Sequence, residues 1–136
     1  MFAKCDLVYR YTRANAIADG VLVDVSEYAP SAGFTIPVAM TAAVFNDCCA
    51  WSESAPNFAK VHQDLKWRIH DVLFMARLSI CIHLEKESNS NSVNYSLFVV
   101  PPNGDSVEPI EVELKILVHA GDELEPVMTI MYRNED

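Results

Sequence analysis

The stretch Pro37-Val-Ala-Met-Thr-Ala-Ala-Val-Phe-Asn-Asp-Cys-Cys-Ala-Trp51 decides how the first half of the chain is built. Proline fits the first turn of a helix, where its fixed φ is already helical and its missing N–H is not needed. After it, Val38, Ala42, Phe45 and Cys49 recur at spacings of four and three, which is one face of an α-helix. The stretch is therefore read as a helix running to about Trp51, with those four residues inward.

Upstream, residues 6–19 read as a short helix with Thr12 as N-cap and Gly20 as its left-handed stop. Val21-Leu-Val-Asp-Val25 is compact and β-branched, a short strand or an extended core segment. Ser26 to Gly33 holds one helical turn. Downstream, after the breaker Ser52-Glu-Ser-Ala-Pro-Asn57, the longest helical signal runs from about Phe58 to Ile82. Leu65, Ile69, Val72, Leu73, Ala76 and Ile80 form its core stripe. Trp67, Phe74, Met75 and Leu78 widen that stripe, so the helix is expected to be central and heavily buried.

The last third changes period. Asn94–Val100, Glu111–Val118 and Pro126–Tyr132 are strand-like runs, with turn signals at Pro101–Asp105 (Asn103-Gly104 above all) and at Gly121-Asp122. Short connections favour an antiparallel meander. The expected fold is α+β: N-terminal helices, one of them long and central, packed on a C-terminal three-stranded antiparallel β-meander. It is a single domain, residues 1–136, helical over about 1–87 and sheet over about 93–136.

The chain carries 19 acids against 10 bases, net −9. From Gly104 onward nine acids face only Lys115 and Arg133, so the last 33 residues carry −7. Phosphate recognition needs clustered Lys and Arg, so direct binding to nucleic acid is not expected, and an anionic membrane surface is disfavoured for the same reason. An acidic face steers instead toward a basic protein partner. Glu108, Glu111, Glu113, Asp122, Glu123 and Glu125 are the candidate partner-binding residues, expected to gather in one patch. Glu111 and Glu113 share one strand face, where on an edge strand they would block edge pairing.

Catalytic chemistry finds little to build on. There is no G-x-S-x-G elbow, P-loop, G-x-G-x-x-G or H-E-x-x-H. Cys48 and Cys49 point about 100° apart on a helix, a poor pair for one ion. His70 and Asp71 are adjacent and do not face each other as a dyad. No catalytic residue, metal ligand or cofactor is assigned. The alternative is an enzyme or metal-dependent hydrolase whose site is assembled from dispersed His, Cys and Asp. No apolar run is long enough to span a bilayer, and the first residues lack a signal-peptide stretch, so a cytoplasmic location is expected.

Tyr11–Ile17, Gly20–Ser26, Ala32-Gly-Phe34, Pro37–Cys48, Gln63-Asp64, Arg68–Ala76, Gly121-Asp122, Glu125–Met131 and Asn134-Glu-Asp136 together resemble the bacterial DUF6573 family over nearly the whole chain. His70 and Phe74 stand where that family tends to have tryptophan, which implies a core role for both. The resemblance implies no activity. It implies a context: cargo of plasmids, integrative elements and phages, whose small acidic proteins are often inhibitors of host defence of the anti-CRISPR or anti-restriction type. The expected partner is therefore a protein with a basic, nucleic-acid-binding surface, such as a defence complex.

Overall fold

The computed structural model describes residues 12–51, 65–85, 91–101 and 108–135. Its frame is a five-stranded mixed sheet in the order β1-β2-β5-β4-β3. The strands are β1 (Leu22–Asp24), β2 (Val38–Thr41), β3 (Ser92–Val99), β4 (Ile110–Ala120) and β5 (Pro126–Tyr132). Among the described residues the α-helices are α1 (Arg13–Ala18), α2 (Ala42–Val44) and the long α3 (Leu65–Glu85).

The expected three-stranded antiparallel meander is overturned. β3, β4 and β5 do pair antiparallel in series. The sheet then continues into the N-terminal half, because β2 runs parallel to β5 with Val38 opposite Met128 and Met40 opposite Ile130. β1 closes that side antiparallel to β2. The helix expected from Pro37 to Trp51 is thus a strand first and a helix second. Val38, Ala39 and Met40 are wholly buried, as a strand covered on both faces must be. Pro37 sits just before β2, where it needs no N–H and its carbonyl accepts from Met128 N at 2.9 Å. Thr41 then ends the strand and caps α2, its hydroxyl accepting from Val44 N. The chain widens from there into a π-type turn over Phe45–Cys49, with Ala50 N donating to Phe45 O.

α1 starts where the sequence places its cap, with the Thr12 side chain accepting from Asn15 N, and Gly20 follows in the left-handed region at φ 79°. Gly33 ends a 3-10 turn at Pro30–Ala32 in the same way, φ 96°. The turn expected at Pro101–Asp105, its Asn103-Gly104 included, and the helical reading of Phe58–Asp64 lie largely or wholly outside the described residues.

α3 lies on one face of the sheet. Ile69, Val72, Leu73 and Ala76 are buried against Tyr95, Leu97, Leu114, Ile116, Met128 and Ile130 in one continuous core. The stripe is corrected in part: Met75 packs against the core as expected, but Leu65 at the start of the helix is 39% exposed, Trp67 62%, Phe74 48% and Leu78 45%. A helix has two sides, and α3 is apolar on both. The core reading of His70 and Phe74 falls with it. His70 sits on the outer side between two rings, edge-on to Trp67 at 5.8 Å and stacked on Phe74 at 6.1 Å.

Candidate interaction surface

The six candidate acids fall into two groups. Glu111 and Glu113 lie near the start of β4, with Glu108 just before it, while Asp122, Glu123 and Glu125 form the turn after it. An eleven-residue strand separates the groups by about 30 Å. β4 is also an interior strand, between β3 and β5, so Glu111 and Glu113 guard no edge.

The second group is partly spent on the protein's own structure. Asp122 accepts from Arg13 N at 2.7 Å and Ala14 N at 3.0 Å, capping α1 from a distant turn. Glu125 accepts from Glu123 N at 3.0 Å. In the first group Glu113 pairs with Arg133 at 3.1 Å, both ends solvated. Glu111 has no ion pair among the described residues.

β3 is the outer strand beside β4, and its register sets what surrounds the first group. Phe98 stands opposite Glu111, Ser96 opposite Glu113 and Val99 opposite Ile110. These alternate between faces. Val99, Leu97 and Tyr95 turn to the core, and the Tyr95 hydroxyl donates to Val72 O at 3.3 Å. Phe98 turns to the open face of the sheet with 68% of its surface exposed, alongside the two glutamates. Phe98, Glu111 and Glu113 therefore share one stretch of the sheet's open face.

A groove of about 500 Å³ runs between β3 and the C-terminal half of α3, lined by Ser79, Ile82, His83, Val93, Asn94 and Tyr95 among others. Ile82 is exposed there, and the shielded Nε2 of His83 has no hydrogen-bond partner among the described residues.

Two buried polar groupings escaped sequence reasoning. Arg68, on the inner side of α3, donates from Nε to Cys49 O at 3.1 Å and from Nη2 to Val100 O at 2.9 Å, and its guanidinium lies 4.8 Å from the Trp51 ring centre. It ties the π-type turn and the end of β3 to α3. Burial draws its pKa down, against the pull of the neighbouring thiols and Asp71. The same burial pushes the Cys48 thiol up to about 11 and Cys49 up to about 12. Both stay protonated at neutral pH, which makes them poor nucleophiles. Tyr132, at the end of β5, donates to Asp47 Oδ2 at 2.5 Å across the same turn, and its pKa is raised by burial first and by that hydrogen bond second.

The second grouping joins α1 to the sheet. Arg13 donates from Nη1 to Thr129 Oγ1 at 2.8 Å and from Nη2 to Met128 O at 2.9 Å. His119 Nε2 is 2.8 Å from the same hydroxyl, and its Nδ1 is 3.0 Å from Ala120 O. Because a carbonyl only accepts, Nδ1 donates to Ala120 O. A cavity of about 320 Å³ opens beside this chain of bonds. The sequence signal for it was faint: a threonine inside a buried strand. Among the described residues no three of His, Cys, Asp or Glu stand close enough to hold a metal ion. No helix there is long and apolar enough to cross a membrane.

The whole chain, residues 1–136, matches the model of a family of unknown function, DUF6573, and belongs to that family. No curated protein and no solved structure matches it.

Proposed function

We propose that this member of the DUF6573 family is a small acidic protein-binding protein, not an enzyme, that engages a basic surface of a protein partner. The observation that carries the reading is Phe98, an aromatic ring 68% exposed directly across the ladder from Glu111. Apolar area supplies affinity at such a surface, and the surrounding acids steer a basic partner to it. The net charge of −9 favours the same class of partner and disfavours nucleic acid itself.

The finer reading is that the protein is carried by a bacterial mobile element, acts in the cytoplasm and inhibits host defence of the anti-CRISPR or anti-restriction type. It would do so by occupying a basic groove that otherwise holds nucleic acid. The acidic charge is what favours such a groove; the family is one of unknown function and assigns neither role nor target.

The test is affinity capture from a bacterial host with wild-type protein and with Glu111→Lys/Glu113→Lys, the captured proteins being identified by mass spectrometry. Both side chains are exposed, so the variant is expected to keep its fold. A basic partner held by wild type and lost by the variant, with weaker capture at high salt, is the expected result. Equal capture by both proteins would remove these acids from the interface.

A further inference from the structure

The two edges of the sheet are built differently. β1 is three residues long and ends in Asp24. β3 is eight residues long, Ser-Val-Asn-Tyr-Ser-Leu-Phe-Val, with no charge and no proline, and no described strand pairs with its outer side. Sheets ordinarily guard such an edge with lysine, proline, a bulge or a covering element. Nothing in the sequence of β3 does so. Beside this edge runs the groove whose wall is Ser79, Ile82 and His83 of α3, where His83 Nε2 lacks a partner among the described residues.

The chemistry of an added strand follows from the register. Side chains of a strand alternate between faces. On the α3 face they would meet Ile82 and Val93, both apolar. On the open face they would lie beside Ser96 and Phe98, with Glu113 and Glu111 one strand further in. Two strand spacings are about 10 Å, a gap that a lysine or arginine and a glutamate close from both sides. A cation reaching inward also passes over the exposed Phe98 ring.

We infer that β3 takes up an extended segment of the partner protein as a sixth strand, its side chains alternating apolar against α3 and basic over Phe98. This rests on the protein-binding reading and adds the mode of docking and the pattern of the docked segment. A second copy of the chain fits less well, because its own β3 brings no base and each copy carries −9.

The probe is a labelled peptide of four Val-Lys repeats, capped at both ends, titrated against the full chain by fluorescence anisotropy. Its control is the block peptide of four valines and four lysines, which has the same charge. The alternating peptide is expected to bind saturably and about tenfold more tightly than the block peptide, and more weakly as salt rises. N-methylation of one alternate set of its amides, those facing β3, abolishes binding, and methylation of the other set does not. Phe98→Lys, which sets a charge on an exposed edge position, is expected to weaken binding about tenfold while leaving the melting temperature nearly unchanged.

Equal binding of the two peptides, or equal tolerance of both methylation sets, would reduce the effect to charge attraction and overturn strand docking. No saturable binding overturns it as well. Sedimentation showing a dimer that Phe98→Lys dissociates would give the edge to a second copy instead. Each of these results leaves the capture experiment on Glu111 and Glu113 standing as the separate test of protein binding.

Discussion

Leu73 and Phe74 are neighbours in sequence and opposites in environment. Leu73 is wholly buried under α3, in the core shared with β2, β4 and β5, while Phe74 stands 48% exposed on the outer side, its ring stacked with His70. Along the helix the same split separates Ile69, Val72 and Ala76 from Trp67, Leu78 and Ile82. Hydrophobicity alone does not say which side of α3 meets the sheet, because both sides are apolar. The inner side makes the fold, and the outer side leaves apolar area for something else.

The largest effect belongs to the inner side. Leu73→Ala is expected to cost about 2–5 kcal/mol, the transfer of a buried leucine plus the cavity it leaves. Chemical denaturation measures it, through a lower midpoint at unchanged slope. A midpoint close to that of wild type would mean that α3 does not seat on the sheet through this side.

Alkaline pH tests the inner side by a second route. Cys48 and Cys49 titrate near 11 and 12 in the folded protein because burial disfavours the thiolate, against an ordinary value of 9.0. The folded state therefore holds protons that the unfolded state releases. This contribution is complete below pH 9 and is lost as pH rises toward 11 and 12. The expected slope is about 1.4 kcal/mol per pH unit for each thiol across that window. Cys49→Ala should flatten the dependence by about half between about pH 9 and 10, and by less above that, where Tyr95 and Tyr132, both raised from an ordinary value of 10.0, contribute as well. A melting temperature that does not change between pH 8 and 11 would contradict the burial of both thiols.

What the sequence revealed and what it hid divide along similar lines. Strands wetted on one side are legible from alternation: β4 extends two residues beyond the alternating run at its C-terminal end, and β3 lies within two residues of the run read for it. β5, buried on both faces, is legible at Pro126–Tyr132 as an apolar run set off by the turn signal at Gly121-Asp122. β2 was hidden because it is only four residues long, and its Ala39 and Met40 run without a break into the helix formers Ala42 and Ala43. Without β2 there is no route from the meander to β1, and Val21–Val25 stays a loose extended segment. The acids were legible as a charge but not as a place. Their spread over the length of β4 comes from strand geometry, and the turning-in of Asp122 depends on α1, more than a hundred residues earlier. The edge status of β3 was implicit in a meander, but the groove beside it depends on how α3 seats.

Asp122 gives the next smaller effect. Its carboxylate holds the first two N–H groups of α1, at 2.7 and 3.0 Å, and so links the N-terminal helix to the β4–β5 turn. Asp122→Ala is expected to cost about 1–2 kcal/mol, the upper part of the range for a lost cap, because two donors lose their acceptor. Amide hydrogen exchange is the sharper readout. Ala16 and Val21, whose amides are bonded within and just after α1, should lose protection while those of β4 and β5 keep theirs. Uniform loss of protection would mean that α1 unfolds only with the whole domain.

The smallest effect completes the pair that opened the comparison. Phe74→Ala removes as much side chain as many core substitutions, yet half of that surface is already in water and no cavity is left to collapse. What it gives up is the stack with His70 at 6.1 Å and partial contact with its own helix, while alanine is the better helix former. These terms oppose each other, so the net change is expected to stay within about 0.5 kcal/mol. Measured beside Leu73→Ala by the same denaturation, it turns one step along the helix into a several-fold difference in cost. If Phe74→Ala instead costs as much as Leu73→Ala, the outer side of α3 is covered in solution, and its apolar residues belong to a packed interface rather than to free surface.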